Sequence, residues 1–179
     1  ADFPFETAAA LTAAYRAGRT TPSEVAERVI AAVQASDAAS PPLRSLLAQH
    51  ADEVRRMAEG ATARWEAGEP LGALDGVPVA VKDELDQRGY PTTVGTTFLG
   101  TAKAAQDATV VARLRAAGAV LIGKANMHEV GIGVTGVNPH FGAARNPYDP
   151  ARATGGSSSG SAAAVAAGLC PIAVGADGG

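Results

Sequence analysis

The chain has 179 residues, 46% hydrophobic and 18% charged, with 15 Lys and Arg against 18 Asp and Glu for a net charge of −3. That balance leaves no basic footprint for nucleic acid, and the length suffices for one buried core. A single cysteine, Cys170, rules out an internal disulfide and suits a buried thiol, and the three histidines lack ligand spacing for a metal. No run approaches the roughly 18 continuous apolar residues of a membrane span, so a soluble, cytoplasmic protein with no transmembrane segment is expected.

Helices are predicted to dominate the first 70 residues. Phe5 to Ala17 reads as a helix closed by Gly18, and Thr21-Pro22-Ser23-Glu24 forms a capping box with proline at the first helical position. Val25, Val29, Ile30 and Val33 then make one apolar stripe. Ser36 to Pro42 breaks the chain, and a charged helix follows from about Ala51 to Ala67, ending at Gly68, with Trp65 expected to serve packing.

Beyond residue 70 the pattern becomes strand, loop and helix. Gly76-Val77-Pro78-Val79-Ala80-Val81-Lys82-Asp83 is a short apolar run that delivers an amine at its end, so Val77 to Val81 reads as a buried strand. Lysine is rarely buried without a reason, and an amine withdrawn from water is driven toward its neutral, basic form. The alternative for Lys82 is an ordinary surface ion pair with Asp83, Glu84 or Asp86. Asp107 is placed to cap a helix through Ala117, with Val110, Val111 and Leu114 inward and Gly118 at the stop, and Ala119 to Ile122 follows as a strand. Strand, helix and strand in this order predict an α/β sheet covered by helices, with no internal repeat and no domain boundary.

Two glycine patterns are decoys. Gly131-Ile132-Gly133-Val134-Thr135-Gly136 spells a dinucleotide fingerprint, but turn-like residues Val137 to Gly142 follow where a helix must begin, so no nucleotide and no other cofactor is expected. Gly156-Ser157-Ser158-Ser159-Gly160 spells a hydrolase nucleophile elbow. It follows the loop residues Asn146 to Arg152 instead of a strand, and no histidine lies after it in the chain.

The run Thr154 to Ser161 is nevertheless the most informative stretch. Three serines between glycines bring hydroxyls and backbone N–H groups close to one point, and the run leads straight into an Ala/Val helix and the apolar strand candidate Pro171 to Gly175. A flexible linker would not do so. With no histidine to activate a serine here, Lys82 is the candidate base.

These residues carry a family resemblance. Gly76 to Asp83, Gly123-Lys124-Ala125-Asn126-Met127-His128-Glu129, Arg145 to Pro150 and Gly155 to Gly179 resemble, in order and context, the N-terminal part of an amidase signature hydrolase. The segments Pro91 to Thr96, Thr154 to Ser161 and Gly168 to Cys170 are most similar to plant-type fatty acid amide hydrolases and their bacterial relatives. The resemblance implies an α/β fold of the amidase signature type, a central mixed sheet covered by helices. Residues 1–179 would form the N-terminal part of that single domain, with a helical lead-in at 1–70 and an α/β core at 71–179.

The resemblance also implies a Ser-cis-Ser-Lys triad working through an acyl-enzyme. Lys82 matches the base and Ser157 the bridging serine at a cis peptide bond. Gly178 and Gly179 match the start of the oxyanion hole, while Ser158 and Asp177 take supporting roles and Ser159 and Ser161 start a helix. The nucleophilic serine is expected at position 181, so residues 1–179 alone are expected to hydrolyse nothing and to leave apolar strands uncovered. The implied partner is a small-molecule amide substrate, and a homodimer is left open. Two alternatives share the fold: a glutaminase-type subunit of a tRNA-dependent amidotransferase, and a non-enzymatic scaffold.

Overall fold

A computed structural model describes residues 6–177 of the protein. Helix α1 spans Ala8–Arg16 and begins three residues later than the apolar pattern suggests. Thr7 sets the start, because its hydroxyl accepts from the Ala10 N–H at 3.1 Å and so satisfies one of the free donors of the first turn. Helix α2, Pro22–Ala38, has the predicted capping box: Thr21 Oγ1 accepts from the Glu24 N–H and the Glu24 carboxylate accepts from the Thr21 N–H. Val25, Val29, Ile30 and Val33 are all buried. The helix runs through Ser36 and ends before the cis Ser40–Pro41 bond.

Four strands form one mixed sheet in the order β1-β3-β2-β4. Strand β2 is Pro78–Lys82, β3 is Val120–Ala125 and β4 is Ile172–Val174; β2 runs parallel to both neighbours. Strand β1, Leu46–Ala48, adds antiparallel to β3. The sequence pattern does not reveal it, because three residues are too short to show a period and they follow a proline-rich break. The parallel strands β2 and β3 are buried along their whole length, as strands covered on both faces must be.

On one face lie α1, α2, α3 (Ala51–Glu66) and α5 (Ser159–Ala166), packed through Leu11, Val29, Val54 and Ala164 onto Ala80, Val120 and Ile122. On the other, α4 (Thr109–Ala116) packs Val111 and Leu114 onto Val79, Val81 and Leu121. Two expectations for α4 fail. Val110 faces outward at 39% exposure, and Asp107 does not cap the helix. Its carboxylate accepts instead from the Arg88 N–H at 2.7 Å and from Arg115, a stronger charge-assisted partner than the helix N–H groups.

Trp65 sits against Tyr15 with ring centroids 5.8 Å apart and donates Nε1–H to the Asp75 carbonyl. Asp75 is fully buried and also accepts two bonds from Arg64, at 2.9 and 2.5 Å, and one from the Leu71 N–H. This knot fixes the end of α3 to the turn that launches β2. Replacing Asp75 with alanine strands the Leu71 donor and the guanidinium together. We expect Asp75→Ala to cost about 2–4 kcal/mol in the complete protein, read as a lowered denaturation midpoint with unchanged slope.

Candidate functional site

The parallel strands end on one edge of the sheet, and the chain turns there into three loops. Lys82 is the last residue of β2, Ala125 the last of β3, and Ala176 lies two residues past β4. A crevice outside the carboxyl ends of parallel strands is where open α/β sheets bind ligands. Lys82 is 0% exposed, and its Nζ lies 2.7 Å from Ser157 Oγ, 2.9 Å from the Ala176 carbonyl and 3.2 Å from Glu84 Oε1. Of the three acidic neighbours offered for a surface ion pair, Glu84 does pair with Lys82, but on a buried amine and not at the surface. Asp83 pairs elsewhere, and the amine is withdrawn from solvent onto two hydrogen-bond acceptors and the Glu84 carboxylate.

Ser157 is presented by the loop before α5. The Gly156–Ser157 peptide bond is cis, and the Ser157 carbonyl accepts from the His128 N–H at 2.9 Å. Ser158 is bound in both directions to one residue: its Oγ donates to the Ala176 carbonyl and accepts from the Ala176 N–H, each at 3.2 Å. It thereby holds the segment after β4 beside Lys82. Ser159 and Ser161 fall in the first turn of α5, and Ser161 Oγ donates to the Val174 carbonyl at 2.9 Å. Asp177 is exposed on that same segment. Gly178 and Gly179, expected to begin the oxyanion hole, lie outside the described residues.

The glycines of this block are required by close backbone approach. A Cβ on Gly156 would stand 2.7 Å from the Gly136 nitrogen, and one on Gly160 would overlap the Asn126 backbone and the Ser45 carbonyl. Gly160 N–H donates to the Asn126 carbonyl at 2.8 Å, which seats the start of α5 on the end of β3. So the serine block is packed on two sides, and the linker reading fails. The segment Gly131 to Gly136 supplies one of those sides and is followed by turns, with no helix starting at its glycines.

Sequence reasoning misses a second buried lysine. Lys124 of β3 pairs in register with Val81, so side-chain alternation sends it off the sheet face opposite to Lys82. Its Nζ donates to the Leu85 carbonyl at 2.6 Å and lies 3.3 Å from both Asp83 Oδ1 and Thr92 Oγ1. Burial pushes the Lys124 amine below its ordinary value, and Asp83 opposes that shift. Asp83 also accepts from the Thr93 hydroxyl and from the Thr93 and Gly95 N–H groups at 3.2 Å. The pair thus ties the turn after Lys82 to the loop 91–95. The available signal is a lysine inside the strand pattern Val120-Leu121-Ile122-Gly123-Lys124, the same signal that singles out Lys82.

Two asparagines complete the frame. Buried Asn126 donates to the Arg44 and Gly142 carbonyls at 3.0 and 2.9 Å, and buried Asn138 donates to those of Gly95 and Met127 at 3.0 Å. Val94 and Val130 both hold left-handed backbone, with φ of 53° and 58°, a region that costs a β-branched residue about 1–3 kcal/mol. Val130 N–H donates to the Val94 carbonyl at 3.0 Å, so the two strained residues are joined. Among the described residues no cluster of His, Cys, Asp and Glu is suited to a metal ion, and no helix is long and apolar enough to cross a membrane. Cys170 is buried far back in the core, and burial pushes its thiol up to about 12.

Lys124→Met is expected to leave Asp83 buried without its cation, at a cost of about 3–5 kcal/mol. Hydrogen exchange should then show the Thr93 and Gly95 amides losing protection ahead of the sheet.

Known proteins resemble this chain in sequence and in fold. The family model described as Amidase matches residues 27–179. A fatty acid amide hydrolase of Oryza sativa subsp. indica is 51% identical over 167 residues, which is 93% of this chain and 28% of that protein. A glutamyl-tRNA(Gln) amidotransferase subunit of Symbiobacterium thermophilum is 45% identical over 171 residues, 95% of this chain and 34% of that protein. The X-ray structure of native peptide amidase from Stenotrophomonas maltophilia superposes with a TM-score of 0.88 at 32% identity, covering 96% of this chain and 36% of that one. The chain therefore spans about a third of the length of these relatives, or less.

Proposed function

Because the chain belongs to the amidase family and has its fold, we propose that the complete protein hydrolyses a carboxylic amide, with Lys82 as base and Ser157 as proton relay. The observation that carries this reading is the 2.7 Å contact between Ser157 Oγ and the buried Nζ of Lys82. A base and a hydroxyl within hydrogen-bond reach, with the base held by further groups, are the parts that nucleophilic catalysis needs.

In the proposed reaction a serine at position 181 attacks the amide carbonyl carbon. Its proton passes to Ser157 Oγ, whose own proton passes to Lys82 Nζ. The carbonyl oxygen takes up negative charge, which the N–H groups of Gly178 and Gly179 stabilise. The proton then returns from Lys82 through Ser157 to the leaving nitrogen as the C–N bond breaks, since an unprotonated amide anion leaves poorly. Water repeats the sequence on the resulting ester and frees the acid. Ser158 and Asp177 act in support, Ser158 by fixing the Ala176 peptide beside the amine.

The 51% identity to a fatty acid amide hydrolase favours a fatty amide as substrate. The 45% identity to an amidotransferase subunit supports a second reading, in which the amide is glutamine and ammonia is handed to a partner. Ammonia release by the complete protein from oleamide, benzamide and L-glutamine separates them. We expect oleamide to be the best of the three; turnover of glutamine alone would establish the second reading, and turnover of none would sink both.

Lys82→Ala should lower kcat by about 10²–10⁴-fold or more while the protein stays folded. Wild-type turnover in that variant would remove Lys82 from the mechanism. Ser157→Ala should impair kcat more than Ser158→Ala, because Ser157 alone bridges the amine and the nucleophile. The opposite order would transfer the relay to Ser158.

A further inference from the structure

Lys82 has one partner that the proposed triad does not use. Glu84 lies two residues on, in the turn that follows β2, and its Oε1 stands 3.2 Å from Lys82 Nζ. Its side chain is 22% exposed, and the opposite edge of the carboxylate abuts Gly131, where a Cβ would come within 3.0 Å of Oε2. Gly131 has φ of +76°, so both its conformation and its lack of a side chain leave room for the carboxylate. The carboxylate is thus confined between the amine and the 129–131 turn.

We propose that Glu84 is a positioning residue for the lysine base, acting on Lys82 and touching no substrate. The inference rests on Lys82 being the base. A neutral amine has two N–H donors and one lone pair. The Ala176 carbonyl accepts one hydrogen, the Glu84 carboxylate stands 3.2 Å from the nitrogen as an ion-pair partner, and the direction 2.7 Å from Ser157 Oγ is left for the lone pair. When the relay delivers a proton to Nζ, the carboxylate faces the ammonium that forms, in a site shielded from water where such a charge is costly without a counter-ion. No bond to the substrate changes at Glu84, and the proton stays on nitrogen until it returns through Ser157.

Neighbouring ionisable groups are engaged with one another. Asp83 and Lys124 face each other at 3.3 Å on the opposite face of the sheet, and Glu129 on the facing turn pairs with His140 at 2.8 Å. His128 faces Thr135, with Nδ1 3.5 Å from its hydroxyl. Glu84 brings a carboxylate oxygen into direct contact with the Lys82 amine.

The test uses the complete protein with whichever of the three amides it turns over fastest, and compares wild type, Lys82→Ala, Glu84→Ala and Glu84→Gln. Glu84→Ala should lose at least about tenfold in kcat with KM changed less than about threefold. Glu84→Gln keeps an oxygen of the same shape without the charge and should recover part of that loss. It should also release the proton from the base more readily, moving the acid limb of the kcat/KM profile to lower pH. The ratio of Gln variant to wild type should therefore rise at least about threefold from plateau to foot. Wild-type kcat in Glu84→Ala, or a Gln variant as impaired as Ala with an unmoved acid limb, overturns the inference while an inactive Lys82→Ala leaves the triad standing. Full activity in Lys82→Ala overturns both.

Discussion

The fold around the site turns on one buried amine. Lys82 ends the central strand of the sheet with no exposure to water, so every one of its polar contacts must come from protein. Three separate segments supply them: the loop before α5 through Ser157, the segment after β4 through the Ala176 carbonyl, and the turn after β2 through Glu84. Those segments are drawn to one point by the amine, and the sheet order that puts β2 between β3 and β4 brings them within its reach. The chemistry proposed for the site and the local architecture therefore depend on the same three contacts.

Charge is distributed about the sheet by the alternation of its strands. Two lysines at the ends of adjacent strands would repel if they shared a face, but the register that pairs Lys124 with Val81 places them on opposite sides. Lys124 then serves Asp83 and the loop 91–95, leaving Lys82 to Ser157 and Glu84. Consecutive acidic residues thus divide between two consecutive tasks. Asp83 binds a loop, and Glu84 faces the amine.

Close backbone packing is the second constraint. Gly136, Gly156 and Gly160 allow the serine block to lie directly on the 133–136 segment and on the end of β3, where a methyl group would collide with backbone atoms. Such contacts leave the serine loop little freedom, unlike the Gly/Ser linker its composition imitates. The asparagine pair, Asn126 and Asn138, satisfies carbonyls that the irregular loops would otherwise bury unpaired.

Much of this is legible in the chain because its causes are local. The capping box at Thr21, the stripe from Val25 to Val33, the buried strand ending in Lys82 and the helix after the serine block each depend on neighbours within a turn or a strand. The resemblance of Gly76 to Asp83 and Thr154 to Ser161 to the amidase family adds the pairing of Lys82 with Ser157, which are 75 residues apart in the chain. What the sequence could not determine are the choices settled by competition in space. Asp107 had a helix end within reach but took Arg88 and Arg115; Lys82 had three acidic neighbours and met only Glu84; Leu46–Ala48 became a strand because the edge of β3 was open to it. In each case the winning partner comes from another part of the chain or is selected by the face on which a side chain emerges, and only the assembled sheet fixes either.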